Sequence, residues 1–251
     1  MKRVIYYVSE NYNKYELKIY NSKATNLHFG TFNFNNNQIY LNNINPSDDQ
    51  FDNLWFDLGI STEKNKICIM VLNIDNLFEN YEYYYNTLCD FINNNKIIKG
   101  IDIDIENKAT LSDTIKFITD FKRDNPKLLL IMSVIGYSMC VKDIHTKYEN
   151  ETNWSYSLFN RLKAENCIDY YNCSFDEDDF TMDSFKNMIK NGFNESKLVM
   201  GCKSSTFDGY DNYFELNKIK KIYNMGGTFI KYFHTAPYKW DISAWLSVNS
   251  N

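Results

Sequence analysis

Short runs of β-branched and aromatic residues alternate along the chain with stretches in which apolar positions return every three or four residues. The first pattern fits a strand, whose side chains point to opposite faces in turn; the second fits one buried face of a helix. Eight runs predict strands: Val4–Val8, His28–Phe34, Ile67–Asn73, Ile98–Ile105, Leu128–Ile135, Ile168–Ser174, Leu198–Cys202 and Thr228–Phe233. Between the third and fourth, Leu77, Tyr81, Tyr84, Leu88, Phe91 and Ile92 trace one helical face. Ile115, Ile118 and Phe121 repeat it until Asn125-Pro126 stops it. Leu158 and Leu162 mark another helix. Phe185, Met188 and Ile189 mark one ending at Asn191-Gly192, and Leu216, Ile219 and Tyr223 one ending near Gly226.

Alternating strands and helices of this kind build parallel sheets. From the fourth strand onward the units begin about 30 to 40 residues apart, and eight such units fill the 251 residues. That matches a (β/α)8 barrel, which typically takes about 250 residues. The expectation is a single TIM barrel over residues 1–251, with no large insertion domain: only about 25 residues separate the last two strands. A doubly wound open sheet is the structural alternative, but it usually carries a glycine-rich phosphate turn after its first strand, and Ser9-Glu10-Asn11-Tyr12-Asn13 offers none. Three prolines, nine glycines and no Ser/Gly/Pro-rich linker also favour one domain, and the runs Asn35-Asn36-Asn37 and Asn93-Asn94-Asn95 read as short loops.

Composition narrows the function classes. With 27 Lys+Arg against 32 Asp+Glu, a net charge of -5, the chain lacks the basic excess that a phosphate backbone requires, so nucleic acid is not an expected partner. The longest apolar run, Leu128 to Gly136, is far short of the roughly 20 residues that span a bilayer, so no membrane is expected either. The N-terminus has a basic pair but too short an apolar stretch for a signal peptide, which makes an intracellular, cytoplasmic setting the default. Six scattered cysteines form no C-x-x-C pair; reduced thiols are expected, with neither zinc site nor disulfide framework. His28, His145 and His234 lie far apart in sequence, and a lone strand histidine reads as a satisfied core or rim residue, so no metal site follows from them.

The informative segment is Gly100-Ile101-Asp102-Ile103-Asp104-Ile105-Glu106. Strand alternation puts Asp102, Asp104 and Glu106 on one face and the isoleucines on the other. Both faces of a parallel barrel strand are normally apolar, so three carboxylates on one of them demand an explanation. If the isoleucines pack against the helices, the acids climb the barrel interior toward the C-terminal mouth, where barrel active sites lie. Neighbouring like charges disfavour ionisation, so at least one of the three should keep a proton near neutral pH, poised for donation. An exposed edge strand with its acids in water, and a divalent-metal site built from hard oxygen ligands, are the other readings of the same residues.

This run resembles the D-x-x-D-x-D-x-E motif on the fourth strand of glycoside hydrolase family 18, the chitinases and endo-β-N-acetylglucosaminidases. Leu27-His28-Phe29-Gly30-Thr31-Phe32-Asn33-Phe34 followed by Gln38-Ile39-Tyr40-Leu41 is similar to that family's second strand and the hairpin after it. Ile168-Asp169-Tyr170-Tyr171-Asn172 resembles the start of its sixth strand, and Gly226-Gly227-Thr228-Phe229-Ile230 its eighth. The resemblance implies a substrate that is an oligosaccharide containing β-linked N-acetylglucosamine. It implies Glu106 as general acid, Asp104 orienting the N-acetyl group and Asp102 sharing charge with Asp104. The substrate's own acetamide acts as nucleophile in this family, so no cofactor, no metal and no protein nucleophile is implied. Tyr6, Phe32, Asn172, Asp176, Lys231 and Tyr232 are expected to line the sugar site.

The chain also departs from the pattern. The first motif aspartate is Lys99, and the third strand ends Leu72-Asn73-Ile74-Asp75 where the family often has S-x-G-G. Ser174 and Asp176 stand where the family places Met or Gln and then the acetamide-binding tyrosine, and Lys231 stands in place of its tryptophan floor. A cation facing the interior near three acids would favour their ionised forms, or serve them as a structural counter-ion. These departures define the alternative to an enzyme: a catalytically degenerate barrel that binds glycan or protein without cleaving.

Overall fold

The computed structural model describes residues 1–8, 19–104, 109–141, 158–159, 167–175, 180–202, 210–230 and 240–250. Nine strands run in chain order as β1 (Arg3–Val8), β2 (Asn26–Asn35), β3 (Gln38–Leu41), β4 (Ile67–Asn73), β5 (Ile98–Asp104), β6 (Leu129–Ile135), β7 (Tyr170–Ser174), β8 (Leu198–Cys202) and β9 (Gly227–Ile230). All except β3 pair in parallel, and β1 pairs with both β9 and β2, so the sheet closes on itself as an eight-stranded barrel. β3 is a flap lying antiparallel on β2, joined to it by Asn36 and Asn37 at φ 46° and 60°. Two consecutive left-handed residues make the tight hairpin whose twist matches the strands, and asparagine tolerates that conformation, so the asparagine run here is turn chemistry.

Helices α1 (Asp52–Glu63), α2 (Tyr81–Asn94), α3 (Leu111–Asp124), α4 (Gly136–Cys140), α5 (Met182–Lys190), α6 (Tyr210–Ile222) and α7 (Trp240–Asn249) follow their strands. α3 begins at a reciprocal cap, Thr110 with Asp113, and ends at Asn125 just before Pro126. α1 has no counterpart in the apolar spacing because its buried face, Leu54, Asp57, Leu58 and Ser61, is half polar; the Ser61 hydroxyl is satisfied by donating to the Asp57 carbonyl at 2.7 Å. No helix among the described residues is long and apolar enough to cross a membrane.

The core has two parts. The larger lies between the barrel and its helices and takes Ile101 and Ile103 from β5, Leu27 and Phe29 from β2, and Leu130 and Met132 from β6. The smaller fills the barrel itself with Ile5, Ile69, Ile131, Tyr170, Val199 and Phe229. Residues on the smaller cluster's parity therefore face inward. At Gly100 an added Cβ would fall 2.3 Å from the Leu129 carbonyl oxygen, so only glycine allows β5 and β6 their close approach.

Candidate active site

The isoleucines of β5 do pack outward, and the acidic face turns into the barrel. Asp102 is fully buried in the interior, while Asp104, two residues further along the same face, is half-buried at the strand's C-terminal end. Glu106, Asp176, Lys231 and Tyr232 lie outside the described residues, as do His145 and His234. Asn172 faces inward from β7 and is fully buried, and Ser174 follows it at the strand's end, half-buried.

Two expected site residues belong elsewhere. Tyr6 points away from the interior, because Ile5 and Tyr7 take the inward parity of β1. Its ring lies 5.1 Å from that of Trp240 on α7, within the shell between barrel and helix. Phe32 also sits in that outer shell, against Phe29 and Phe91. The cause is an irregularity in β2 between Phe29 and Phe32, where Gly30 adopts φ 101°; the extra residue shifts the alternation and returns Phe32 to the face of Phe29.

Around Asp102 the interior is polar, and every neighbour comes from a different strand. Its Oδ2 accepts from the Tyr7 hydroxyl at 2.5 Å and from Asn172 Nδ2 at 3.1 Å, and lies 2.8 Å from His28 Nδ1. The Ser133 hydroxyl donates to the same carboxylate, 3.0 Å from each oxygen. Tyr7 in turn accepts from Asn172 Nδ2 at 2.6 Å and lies 2.9 Å from Ser133 Oγ. Below them the Tyr170 hydroxyl sits 3.0 Å from His28 Nε2 and accepts from Asn26 Nδ2 at 3.2 Å. Arg3 caps the stack, its guanidinium 4.3 Å from the centre of the Tyr170 ring.

A carboxylate removed from water is stable only when its oxygens are hydrogen-bonded, and here four side chains supply the donors. Burial, and then the charge of Asp102, push the Tyr7 phenol well above its usual range, so it stays a proton-bearing donor. Burial does the same for Tyr170, aided by Asp102 and opposed by Arg3. Asn172 spends its amide hydrogens on Tyr7 and Asp102, while its buried Oδ1 has no hydrogen-bond partner among the described residues. Tyr7, His28, Ser133, Tyr170 and Asn26 are absent from the expected site. They are scattered over four strands, β1, β2, β6 and β7, and the only local signal was a polar residue on an otherwise apolar strand.

The arrangement is an acidic stack on one barrel strand: its lower member is buried and saturated with donors, and its next member lies nearer the C-terminal end, where barrel sites form. Among the described residues no cluster of His, Cys, Asp and Glu could hold a metal ion. No protein-family model matches the sequence, and no curated protein matches it. Solved structures do match by shape. A fungal endo-β-N-acetylglucosaminidase from glycosyl hydrolase family 18 aligns with a TM-score of 0.83 at 18% identity, over 99% of this chain and 98% of that one. A chitinase from Aspergillus fumigatus aligns at 0.77 and 17% identity over 99% and 100%, and one from Chromobacterium violaceum at 0.74 and 13% over the whole of both chains. At these identities the likeness is one of fold: the chain has the barrel of those structures.

Proposed function

We propose that the protein is a glycosidase that hydrolyses glycans containing β-linked N-acetylglucosamine, with retention and with the substrate's acetamide as nucleophile. The observation that carries this is the inward turn of the acidic face of β5, with Asp102 buried and donor-saturated beneath Asp104. Glu106, the next acid of the alternation, protonates the glycosidic oxygen. Asp104 orients the N-acetyl group so that its carbonyl oxygen meets the anomeric carbon, and holds the resulting oxazolinium ion by its hydrogen bond to the acetamide nitrogen. Asp102 is the fixed anion below. No protein nucleophile is required, which agrees with a motif that supplies one acid and its supports rather than a facing pair of carboxylates. The likeness in fold to endo-β-N-acetylglucosaminidases and chitinases supports the same substrate class.

The test is fluorophore release from N-acetylchitooligosaccharides between about pH 4 and pH 8, by the parent and by Glu106→Gln, with and without chelator. Loss of a general acid removes roughly 10²- to 10⁴-fold of rate, so release by the parent should fall by at least about 100-fold in the variant and be indifferent to the chelator. Turnover abolished by chelation would replace this mechanism with a metal-assisted one. Ser174, Asp176 and Lys231, which stand where the family resemblance calls for other residues, favour a second reading, a barrel that binds glycan without cleaving it. Under that reading chitooligosaccharide binds and no fluorophore is released.

A further inference from the structure

His28 is the one imidazole among the described residues, and it is buried in the barrel between two hydroxyl-rich layers, with both ring nitrogens in hydrogen-bond contact. Its protonation state can be worked out by counting hydrogens. The Thr25 hydroxyl lies 2.8 Å from Asn26 Oδ1 and farther, 3.3 Å, from its other acceptor, the Val4 carbonyl; the shorter contact orients the amide with Nδ2 as donor to the Tyr170 oxygen. Among the described residues the Tyr170 hydroxyl has only Asn26 and His28 as partners, so its own hydrogen has one place to go, His28 Nε2 at 3.0 Å. Nε2 is then an acceptor, the ring is neutral, and its hydrogen sits on Nδ1, pointing at Asp102. A doubly protonated ring would leave the Tyr170 hydrogen stranded in the interior and would place a second cation behind the Tyr170 ring from Arg3.

The other groups facing His28 are consistent with this assignment. β1 contributes Tyr7, whose ring centre lies 4.8 Å away and whose hydroxyl hydrogen is committed to Asp102. β4 contributes Ile69 as its cross-strand neighbour, an apolar side chain. β5 contributes Asp102, with Asp104 one step higher, and β7 contributes Tyr170 and the neutral amide of Asn172. Tyr7, His28 and Asn172 converge on Oδ2 and Ser133 bridges both oxygens, so the carboxylate form accepts from all four, whereas a proton on Oδ1 would take the Ser133 bond away from Asp102.

We propose that His28 is a positioning residue: as a neutral Nδ1–H tautomer locked by Tyr170, it holds Asp102 as a fixed carboxylate, so that the proton the acid stack carries into the reaction is not lost to Asp102. The consequence for catalysis rests on the glycosidase reading; the state of the His28–Asp102 pair does not. A permanent charge at Asp102 disfavours ionisation of the acid above it on the same face, which keeps a proton available where the substrate meets the stack.

Two measurements on the full chain test this. The first reads ring ¹⁵N and Asp102 carboxyl ¹³C signals by NMR, with the His28 signals assigned by their absence in His28→Leu. In the parent, the ring signals should report the neutral Nδ1–H tautomer at neutral pH, and Tyr170→Phe, which removes the donor to Nε2, should abolish that preference. The Asp102 carboxyl ¹³C signal should move in His28→Leu and return toward the parent in His28→Asn, whose Nδ2–H replaces the Nδ1–H. A doubly protonated parental ring, an Nε2–H tautomer, or an Asp102 carboxyl signal unmoved in His28→Leu overturns the proposal. Should His28→Leu fail to fold, the Tyr170→Phe and His28→Asn arms decide it. The second measurement is the pH profile of fluorophore release. His28→Leu should lower kcat about tenfold with KM changed less than about threefold, and should move the acid limb upward, with His28→Asn restoring the limb. If the parent shows no turnover while the NMR results hold, the glycosidase reading fails and the His28–Asp102 assignment stands.

Discussion

Asp102 is the keystone of the interior polar cluster, and replacing it separates charge from shape. Leucine approximates its volume but supplies no acceptor, so Asp102→Leu strands the donors of Tyr7, His28, Ser133 and Asn172 in a layer with no exposed surface at Asp102. An unsatisfied buried donor costs about 1–3 kcal/mol, and some of that is recovered here because Ser133 and Tyr7, 2.9 Å apart, can pair with each other. We expect Asp102→Leu to lose about 4 kcal/mol, in line with the roughly 3–5 kcal/mol for removing one partner of a buried pair. Asparagine can keep an acceptor at the Oδ2 position for Tyr7, His28 and Asn172 and turn its amide hydrogens toward Ser133 Oγ, which can accept; only charge assistance is lost, about 1–2 kcal/mol. In a chain of this length each kcal/mol moves Tm by about 2–4 °C, so thermal unfolding should show Asp102→Leu lower by about 8–16 °C and Asp102→Asn by at most half of that. Adding His28→Leu to Asp102→Leu should recover part of the loss, because the histidine no longer has a hydrogen without a partner, with a coupling of about 1–3 kcal/mol in a double-mutant cycle. Equal stability of the leucine and asparagine variants would refute the claim that donor satisfaction holds this layer together.

Two other predictions follow from the packing. Lys66 is almost fully buried and donates to the carbonyls of Ser22 and Ala24 at 2.6 Å each; burial lowers its pKa to about 8, with Asp241 acting weakly in the opposite direction. Because the unfolded chain binds this proton more tightly, the penalty is fully present below about pH 8 and is relieved as pH rises toward 10.5, so parental stability should gain about 1–2 kcal/mol relative to Lys66→Met between about pH 7 and 9.5; a flat difference in urea unfolding would count against it. Gly100→Ala would drive a methyl into the Leu129 carbonyl across the β5–β6 pairing, and should cost about 3 kcal/mol by thermal unfolding; a loss below about 1 kcal/mol would show that the strands can spread.

Much of the fold was legible because a barrel repeats one local rule. Each strand is a short apolar run ended by a turn residue, each helix a three- and four-residue rhythm, and Ile67–Asn73 and Leu198–Cys202 fall at the same residues in pattern and structure. The rule failed where buried faces are not apolar. α1 buries Asp57 and Ser61 and so shows no rhythm, and β2 carries a bulge that no periodicity reports. The bulge also explains Phe32: an extra residue in mid-strand reverses the parity on which any face assignment beyond it depends.

The same distinction decides what could be seen of the site. The acidic run announces itself because three acids fall at alternate positions of a strand-like stretch, a violation of the apolar rule within seven residues of sequence. Their support does not, because Tyr7, His28, Ser133, Tyr170 and Asn172 come from four other strands and are each an ordinary substitution where they stand; they become a cluster only once the sheet closes and β1 meets β2 and β9. Tyr6 shows how narrow the margin is. A face error of one residue on β1 selects a tyrosine that packs on Trp240, when its neighbour Tyr7 is the one bonded to Asp102. The closed sheet removes the ambiguity: Ile5, on the same parity as Tyr7, packs inside with Ile69, Ile131 and Val199, so the hydroxyl above it can only point toward the acid stack.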